Sequence, residues 1–398
     1  MNRILLAKGL RGFADGFISL LLPVYLLDLG FTPLQVGVIA TTTLLGSGLS
    51  TLLVGLHAWR FHFRTWLLAF ALLMAGTGLG FALVTDYWPL LLIAFVGTLN
   101  PSSGDVSVFL PLEQALLSYA VPDRQRTALM ARYSLVGTLS GAVGALAAAL
   151  PAIAASSTGL STRSAVQGMF ILYSLIALAA GVIYRGLPKA PVSAAPQPKV
   201  ALRESRTRVY TLAALFSLDA FGGGFVVQSL VALWLYQRFD LSIETAGAIF
   251  FCTGVLTAFS YLVAVRIADR IGLLKTMVFT HLPSSVCLVL MPFMPGLGWV
   301  LALLLVRSAL SQMDVPTRSS YVMAIVPPAE RAAAASVTAV PRSLASAASP
   351  VLAGYLLGAS PFGWAFVAAG ATKIVYDLLL LAMFHKVRPP EEQGAPHR

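Results

Sequence analysis

Charge is scarce in this chain of 398 residues: 11% are Asp, Glu, Lys or Arg, against about 25% in soluble domains, which excludes a water-soluble fold. Cysteine is nearly absent. Cys252 and Cys287 both fall inside apolar runs, where a thiol behaves as a small hydrophobe, so neither a disulfide framework nor a metal cluster is supported. The five histidines do not cluster. His57, His62 and His385 sit near the ends of apolar runs, His397 lies in the tail, and His281 is about a turn and a half inside a run, which disfavours a histidine relay. No G-x-x-x-x-G-K-[ST] fingerprint and no nucleophile with a partnered base are present, so neither ATP hydrolysis nor enzyme chemistry is expected, and no cofactor is implied. The net charge of +11 comes without a basic-plus-aromatic pattern, which argues against nucleic acid. A cleavable leader is not expected, because the first apolar stretch carries Arg11 and Asp15 and lacks a small-residue cleavage site.

What the chain has instead is apolar length. Hydrophobic residues make up 58%, and nine charge-free runs are long enough to cross a membrane: 33–59, 65–85, 87–104, 133–162, 164–184, 220–237, 245–265, 276–306 and 343–372. Admitting runs with a few charges, and cutting at Pro and Gly, predicts spans near 4–29, 33–56, 64–84, 87–120, 126–154 and 162–186. Six more follow near 207–238, 242–265, 273–295, 298–326, 331–357 and 362–386. The expectation is an all-α membrane protein with bundles over 1–186 and 207–390, a Pro-rich cytoplasmic linker over 187–206 and a tail over 391–398. With both termini cytoplasmic, 22 of the 27 Lys and Arg fall on the inner side; Arg163 and Arg238 lie outside, and Arg307, Arg318 and Lys373 lie within spans. That bias fixes the expected orientation in a cell, or inner, membrane.

The two halves repeat one another. Arg11-Gly-Phe-Ala-Asp-Gly-Phe17 aligns without gaps on Asp219-Ala-Phe-Gly-Gly-Gly-Phe225, placing the first span on the seventh. Leu110, Pro111, Glu113, Val121, Pro122 and Arg126 align on Val315, Pro316, Arg318, Val326, Pro327 and Arg331, placing the fourth span on the tenth.

Twelve spans, a long connection after the sixth and two similar halves resemble the major facilitator superfamily. The segment after the eighth span, Val265-Arg-Ile-Ala-Asp269-Arg270-Ile-Gly272-Leu-Leu-Lys275, is similar to that family's loop motif G-x-x-x-D-R-x-G-x-x-K, with only the leading Gly missing. The segment after the second span, from Gly55 to Arg64, keeps the Gly and Arg60 but has Trp59 for the Asp and His62 for the second Gly. The resemblance implies a cytoplasmic latch on Asp269 and Arg270, the alternative being a charged turn that only keeps helix ends in water. Gly137, Gly141 and Gly144 resemble the glycine motif of the drug/proton antiporter members, although Ala142 stands where Pro is expected; small residues at this spacing equally serve close helix packing.

Charge inside a membrane is expensive and needs a partner. Through the repeat, Arg11 is equivalent to Asp219 and Glu113 to Arg318, with signs exchanged. Two arrangements follow: Arg11 with Glu113 and Asp219 with Arg318 inside each half, the preferred one, or Arg11 with Asp219 across the halves as a gate. Asp15, Asp105 and Asp314 then lack a partner and are the proton-coupling candidates; the alternative is that Asp15 and Asp314 join the Arg one turn away. Lys373 and Asp377, spaced i,i+4, are expected to neutralise each other. A helix cannot run smoothly through Asn100-Pro101-Ser102-Ser103-Gly104-Asp105, so this stretch is the candidate cavity lining, an ordinary kink being the alternative. Gly222, Gly223 and Gly224 offer a second hinge opposite Gln228 and Ser229, while Arg307 and Gln312 add polar groups to the tenth span. Phe13, Phe17, Phe221 and Phe225 provide aromatic walls or plain packing.

These features predict a monomeric secondary active transporter working by alternating access, its partners a small-molecule substrate, the bilayer and protons, or else Na+. The preferred mechanism is proton-coupled export of an amphipathic or cationic compound. The alternative is an uptake symporter or facilitator for an organic anion, clamped by Arg11, Arg307 and Arg318; a membrane-embedded enzyme or a sensor is the third.

Overall fold

The computed structural model describes residues 2–57, 62–101, 107–119, 123–187, 202–327 and 330–387, and among them it contains helices and no strand. The helices of the first half are α1 (Asn2–Asp28), α2 (Pro33–His57), α3 (Phe63–Leu83), α4 (Tyr87–Val96), α5 (Phe109–Tyr119), α6 (Asp123–Ala147), α7 (Leu150–Thr158) and α8 (Thr162–Arg185). Those of the second are α9 (Arg206–Gly224), α10 (Gln228–Phe239), α11 (Ile243–Ile271), α12 (Leu273–Leu290), α13 (Leu297–Leu310), α14 (Asp314–Ile325), α15 (Arg331–Ala359) and α16 (Trp364–Phe384). Ten stretches among the described residues are long and apolar enough to cross a membrane. The fourth crossing, in short pieces, and α15 are not among them.

Two compact units emerge. One comprises the described residues up to 187 together with 226–255 and 350–362. One close crossing in it is α1 on α6, where a Cβ on Gly12 would lie 2.7 Å from the Gly137 carbonyl oxygen and one on Gly16 would lie 3.0 Å from the Gly141 Cα. The glycines of the fifth span therefore bring two backbones together, as small residues do where no hydrophobic drive separates helix from lipid. The same unit seats the end of α15 on α2: a Cβ on Gly37 would lie 2.9 Å from the Gly354 Cα, and Val351 N donates to Thr41 Oγ1 at 2.9 Å.

The other unit comprises 202–225, 256–349 and 363–387. Its core packs Leu212 and Phe216 of α9 with Met277 of α12, Tyr321 of α14 and Tyr376 and Leu380 of α16.

Four expected spans are interrupted among the described residues. The fourth breaks between Val96 and Phe109, the fifth at 148–149 between α6 and α7, the seventh at 225–227 between α9 and α10, and the tenth at 311–313 between α13 and α14. Unwound backbone at membrane depth survives only where it is buried in protein or lines a cavity. In the first unit one such end is satisfied directly, Ser229 N donating to the Pro101 carbonyl at 3.1 Å.

The expected loop after the eighth span is not a loop. Helix α11 runs to Ile271 and carries Asp269 and Arg270, both exposed, in its final turn; Gly272, at φ +89°, makes the whole connection to α12. The connection is thus a helix end with one left-handed glycine, and neither side chain forms an ion pair among the described residues. Trp59 and Arg60 of the equivalent segment lie outside the described residues.

Ahead of α9, the Glu330 carboxylate accepts the backbone N–H groups of Arg203 (3.1 Å), Glu204 (3.1 Å) and Ser205 (3.2 Å), and the Ser205 hydroxyl. These bonds favour the ionised form and hold Glu330 below the usual carboxylate range.

Because a Cβ on Gly16 meets backbone while one on Gly76 of α3 meets nothing within 4 Å, Gly16→Ala should lower thermal stability in detergent, by about 1–3 kcal/mol for an overpacked contact, and Gly76→Ala should not. Equal loss in both would refute the account of the crossing. For Glu330, a lowered folded-state value means that its contribution is complete above the unfolded carboxylate value of about 4.3 and disappears as pH falls through the lower one. Amide exchange at 203–205, corrected for intrinsic rate, should accelerate on acidification in that window, and Glu330→Gln should exchange fast at every pH.

Candidate functional site

Buried charge collects in two places, one in each unit. In the first, Arg11 of α1 donates to Glu113 of α5, to the Tyr184 hydroxyl of α8 (3.1 Å) and to Ser107 (3.4 Å), and its guanidinium lies 4.0 Å from the centroid of the Phe109 ring. Glu113 also accepts the hydroxyls of Tyr133 and Tyr184, each at 2.5 Å. Both charged groups are buried and fully occupied. This is the arrangement of a structural pair, in which extra hydrogen bonds offset the cost of desolvation. Asp15, one turn along α1 and partly exposed, accepts a hydrogen bond from the Asn100 side chain in the interrupted fourth span, with Arg11 and Lys8 as its nearest positive charges. It is therefore not the unpartnered acid expected. Ser103 and Asp105 lie outside the described residues.

The second unit gathers six ionisable groups from four helices. Asp219 of α9 accepts from Arg318 of α14 at 2.9 Å and from Lys373 of α16 at 2.6 Å. His281 of α12 places Nδ1 3.0 Å from the Asp377 carboxylate and Nε2 3.5 Å from Asp219. Asp314 bonds Arg318 one turn away.

Three expectations are corrected here. Asp314 has a partner, because i,i+4 geometry places the Arg318 fork on it. Lys373 and Asp377 do not neutralise each other: Lys373 reaches Asp219 and Asp377 takes His281, so contacts between helices win over the local one. His281, set aside on the sequence, stands between two carboxylates. Counting about 1.5 Å per residue from position 273 puts it some 12 Å into its span, level with Arg318, and that shared depth was the available signal.

Ligand atoms of Asp219, His281 and Asp314 lie within 4.8 Å of one another, a spacing a metal ion could use. Arg318 and Lys373 already supply the positive charge that such an ion would bring, so the donor set does not fit a cation.

Three of the expected site residues make no side-chain hydrogen bond among the described residues. Arg307, in the last turn of α13, makes no ion pair or hydrogen bond among the described residues, and its Nε is buried. The amides of Gln312, in the interruption of the tenth span, and Gln228, at the start of α10, are partly exposed without hydrogen bonds among the described residues. Phe13 and Phe17 meet edge to face at 5.5 Å, as do Phe221 and Phe225 at 5.3 Å, so each pair also packs on itself.

A model of the Major Facilitator Superfamily matches residues 4–228 and again 212–398. An uncharacterized membrane protein of Saccharomyces cerevisiae, YJR124C, is 23% identical over 410 residues, 94% of this chain and 92% of that one. Among solved structures, a point mutant of the nucleoside transporter NupG is 14% identical with a TM-score of 0.76, covering 96% of this chain and 99% of its own. A bacterial homolog of the human lysosomal transporter Spinster, inward-facing and occupied, is 14% identical at 0.73, covering 97% of each. The human organic anion transporter MFSD10 is 16% identical at 0.64, covering 95% and 99%.

Removing one member of the first pair leaves a buried charge uncompensated. Arg11→Met and Glu113→Leu should each destabilise the protein by about 3–5 kcal/mol, and the double variant should recover most of the loss. Thermal unfolding of the three variants in detergent gives the coupling, and strictly additive losses would show that the two side chains do not depend on each other.

Proposed function

Since the chain belongs to the Major Facilitator Superfamily, a family of membrane transporters and not of enzymes, we propose that it carries a small organic solute across the bilayer by alternating access and couples that movement to a proton. The observation that supports coupling is a charge count. Among the described residues, three carboxylates, Asp219, Asp314 and Asp377, are in direct contact with two fixed cations, Arg318 and Lys373, and with one histidine. Among the groups in contact, three negative charges against two positive leave one negative charge, and in a low-dielectric core a charge without a direct partner costs several kcal/mol. One proton, held between His281 and Asp377, restores neutrality.

Asp15 is the second candidate proton site, because it is partly exposed and bonded to a neutral amide. The preference for a cationic substrate rested on unpaired acids. With Asp314 on Arg318 and Asn100 on Asp15, that support is gone. The nucleoside and organic anion transporters that share the fold support a small organic solute as cargo. The distribution of Lys and Arg supports cytoplasmic termini and a cell-membrane location.

Uptake of labelled organic solutes into proteoliposomes under an imposed pH difference tests the coupling. Wild-type protein should respond to the pH gradient, and His281→Gln should lose about tenfold or more of that response, the scale of a charged hydrogen bond of 1.5–3 kcal/mol. A wild-type response to Na+ and not to pH, or an unaltered response in His281→Gln, would remove the proton from this site.

A further inference from the structure

Resting on the carrier reading above, we infer that Arg307 is the recognition point for a monoanionic group, a carboxylate, on the transported solute, and that this anion travels together with the cluster's proton. Arg307, partly buried with its Nε enclosed, differs from the buried cations nearby. Arg318 has Asp219 and Asp314, and Lys373 has Asp219. Arg307 has no carboxylate and no hydrogen bond among the described residues, and its buried Nε is unbonded. It sits one turn before the interruption at 311–313, where Gln312 also presents an unbonded amide. A planar fork of donors without a partner in such a place matches a carboxylate supplied from outside, because the guanidinium binds that group through two parallel hydrogen bonds.

The groups around it set the charge of the ligand and its link to the proton. Lys373 of α16 and Cys287 of α12 are its electrostatic neighbours. Beyond Lys373 stand Asp219 of α9, His281 of α12, Asp314 and Arg318 of α14, and Tyr376 and Asp377 of α16, with Arg342 of α15 reaching Tyr376. Without its proton the Asp–His cluster carries one net negative charge, which compensates Arg307 from a distance and weakens its hold on a competing anion. With the proton bound the cluster is neutral, and one positive charge on Arg307 remains to be matched by one negative charge. Proton and monoanion therefore favour each other's binding, and this reciprocity is required of any two linked ligands. The pair crosses without net charge, so the direction of transport follows the pH gradient: solute moves with the proton.

The first arm of the test needs no substrate. At a pH low enough for the cluster to hold its proton, ligand-free Arg307→Met should melt a few degrees higher than wild type, because a partly buried cation that the neutral cluster does not compensate is replaced by an apolar side chain of similar length. A lower melting temperature would show that the guanidinium has a structural partner and would overturn the inference. The second arm uses matched probes that differ in one group: phenylacetate, phenylacetamide and phenethylamine, together with hexanoate, hexanamide and hexylamine. The acids alone should stabilise wild-type protein against heat, more strongly at lower pH, with proton uptake on binding in weakly buffered solution. Arg307→Met should bind them roughly tenfold or more weakly, and Arg307→Lys should recover part of the loss. Stabilisation by the amines or amides, by none of the six, or equally in Arg307→Met overturns the inference. Failure here is separable from failure of the carrier reading: a pH-driven uptake that survives Arg307→Met leaves the transporter standing and removes the anion site, whereas loss of pH response in wild type removes the coupling itself.

Discussion

The cost of holding charge away from water organises this molecule. Every strongly buried ionisable side chain forces its helix to meet others that can satisfy it, and the two sets of meetings fix the two compact units. Arg11 and Glu113 tie α1 to α5, while the hydroxyls of Tyr133 and Tyr184 bring in α6 and α8. Asp219 draws α14 and α16 onto α9, and His281 adds α12.

The two solutions differ in how completely they close. Glu113 accepts from three donors and Arg11 bonds three acceptors, so nothing is left to exchange. In the second unit the accounts stay open: Nε and Nη1 of Arg318, Nε of Arg307 and the Tyr376 hydroxyl are buried without hydrogen bonds. A saturated network holds a shape, whereas an unsaturated one leaves buried donors that a second bonding pattern or a ligand can satisfy. The sign exchange between Arg11 and Asp219, and between Glu113 and Arg318, thus accompanies a division between a rigid cluster and an adaptable one.

Much of the fold was legible because the bilayer makes hydropathy and charge informative over long stretches. The charge-free runs locate the helices, and the alignment of Glu113 on Arg318 picks out the positions where each half carries its charge. What escaped depends on contacts between helices. The interruption at 311–313 passes through Ser-Gln-Met, which contains neither Gly nor Pro, and only its equivalence to the broken fourth span hinted at it. Lys373 and Asp377 looked self-sufficient at i,i+4, yet each found a better partner on another helix. His281 was dismissed for its distance from the span centre, although the cluster it joins lies at that same depth. Asp269 and Arg270 resembled a loop because a motif was read without the helix that extends through it.

The meeting of Gly37 with Gly354 bears on how readily the molecule changes shape. Where α15 lies on α2, main chain meets main chain at Gly37 and Gly354, and Val351 N donates to the Thr41 hydroxyl. Parting them uncovers little grease, and the peptide groups laid open welcome water. Such a seam closes over a small contact, as a zip fastener does, which is the property that the proposed alternating access asks of a surface that opens and closes.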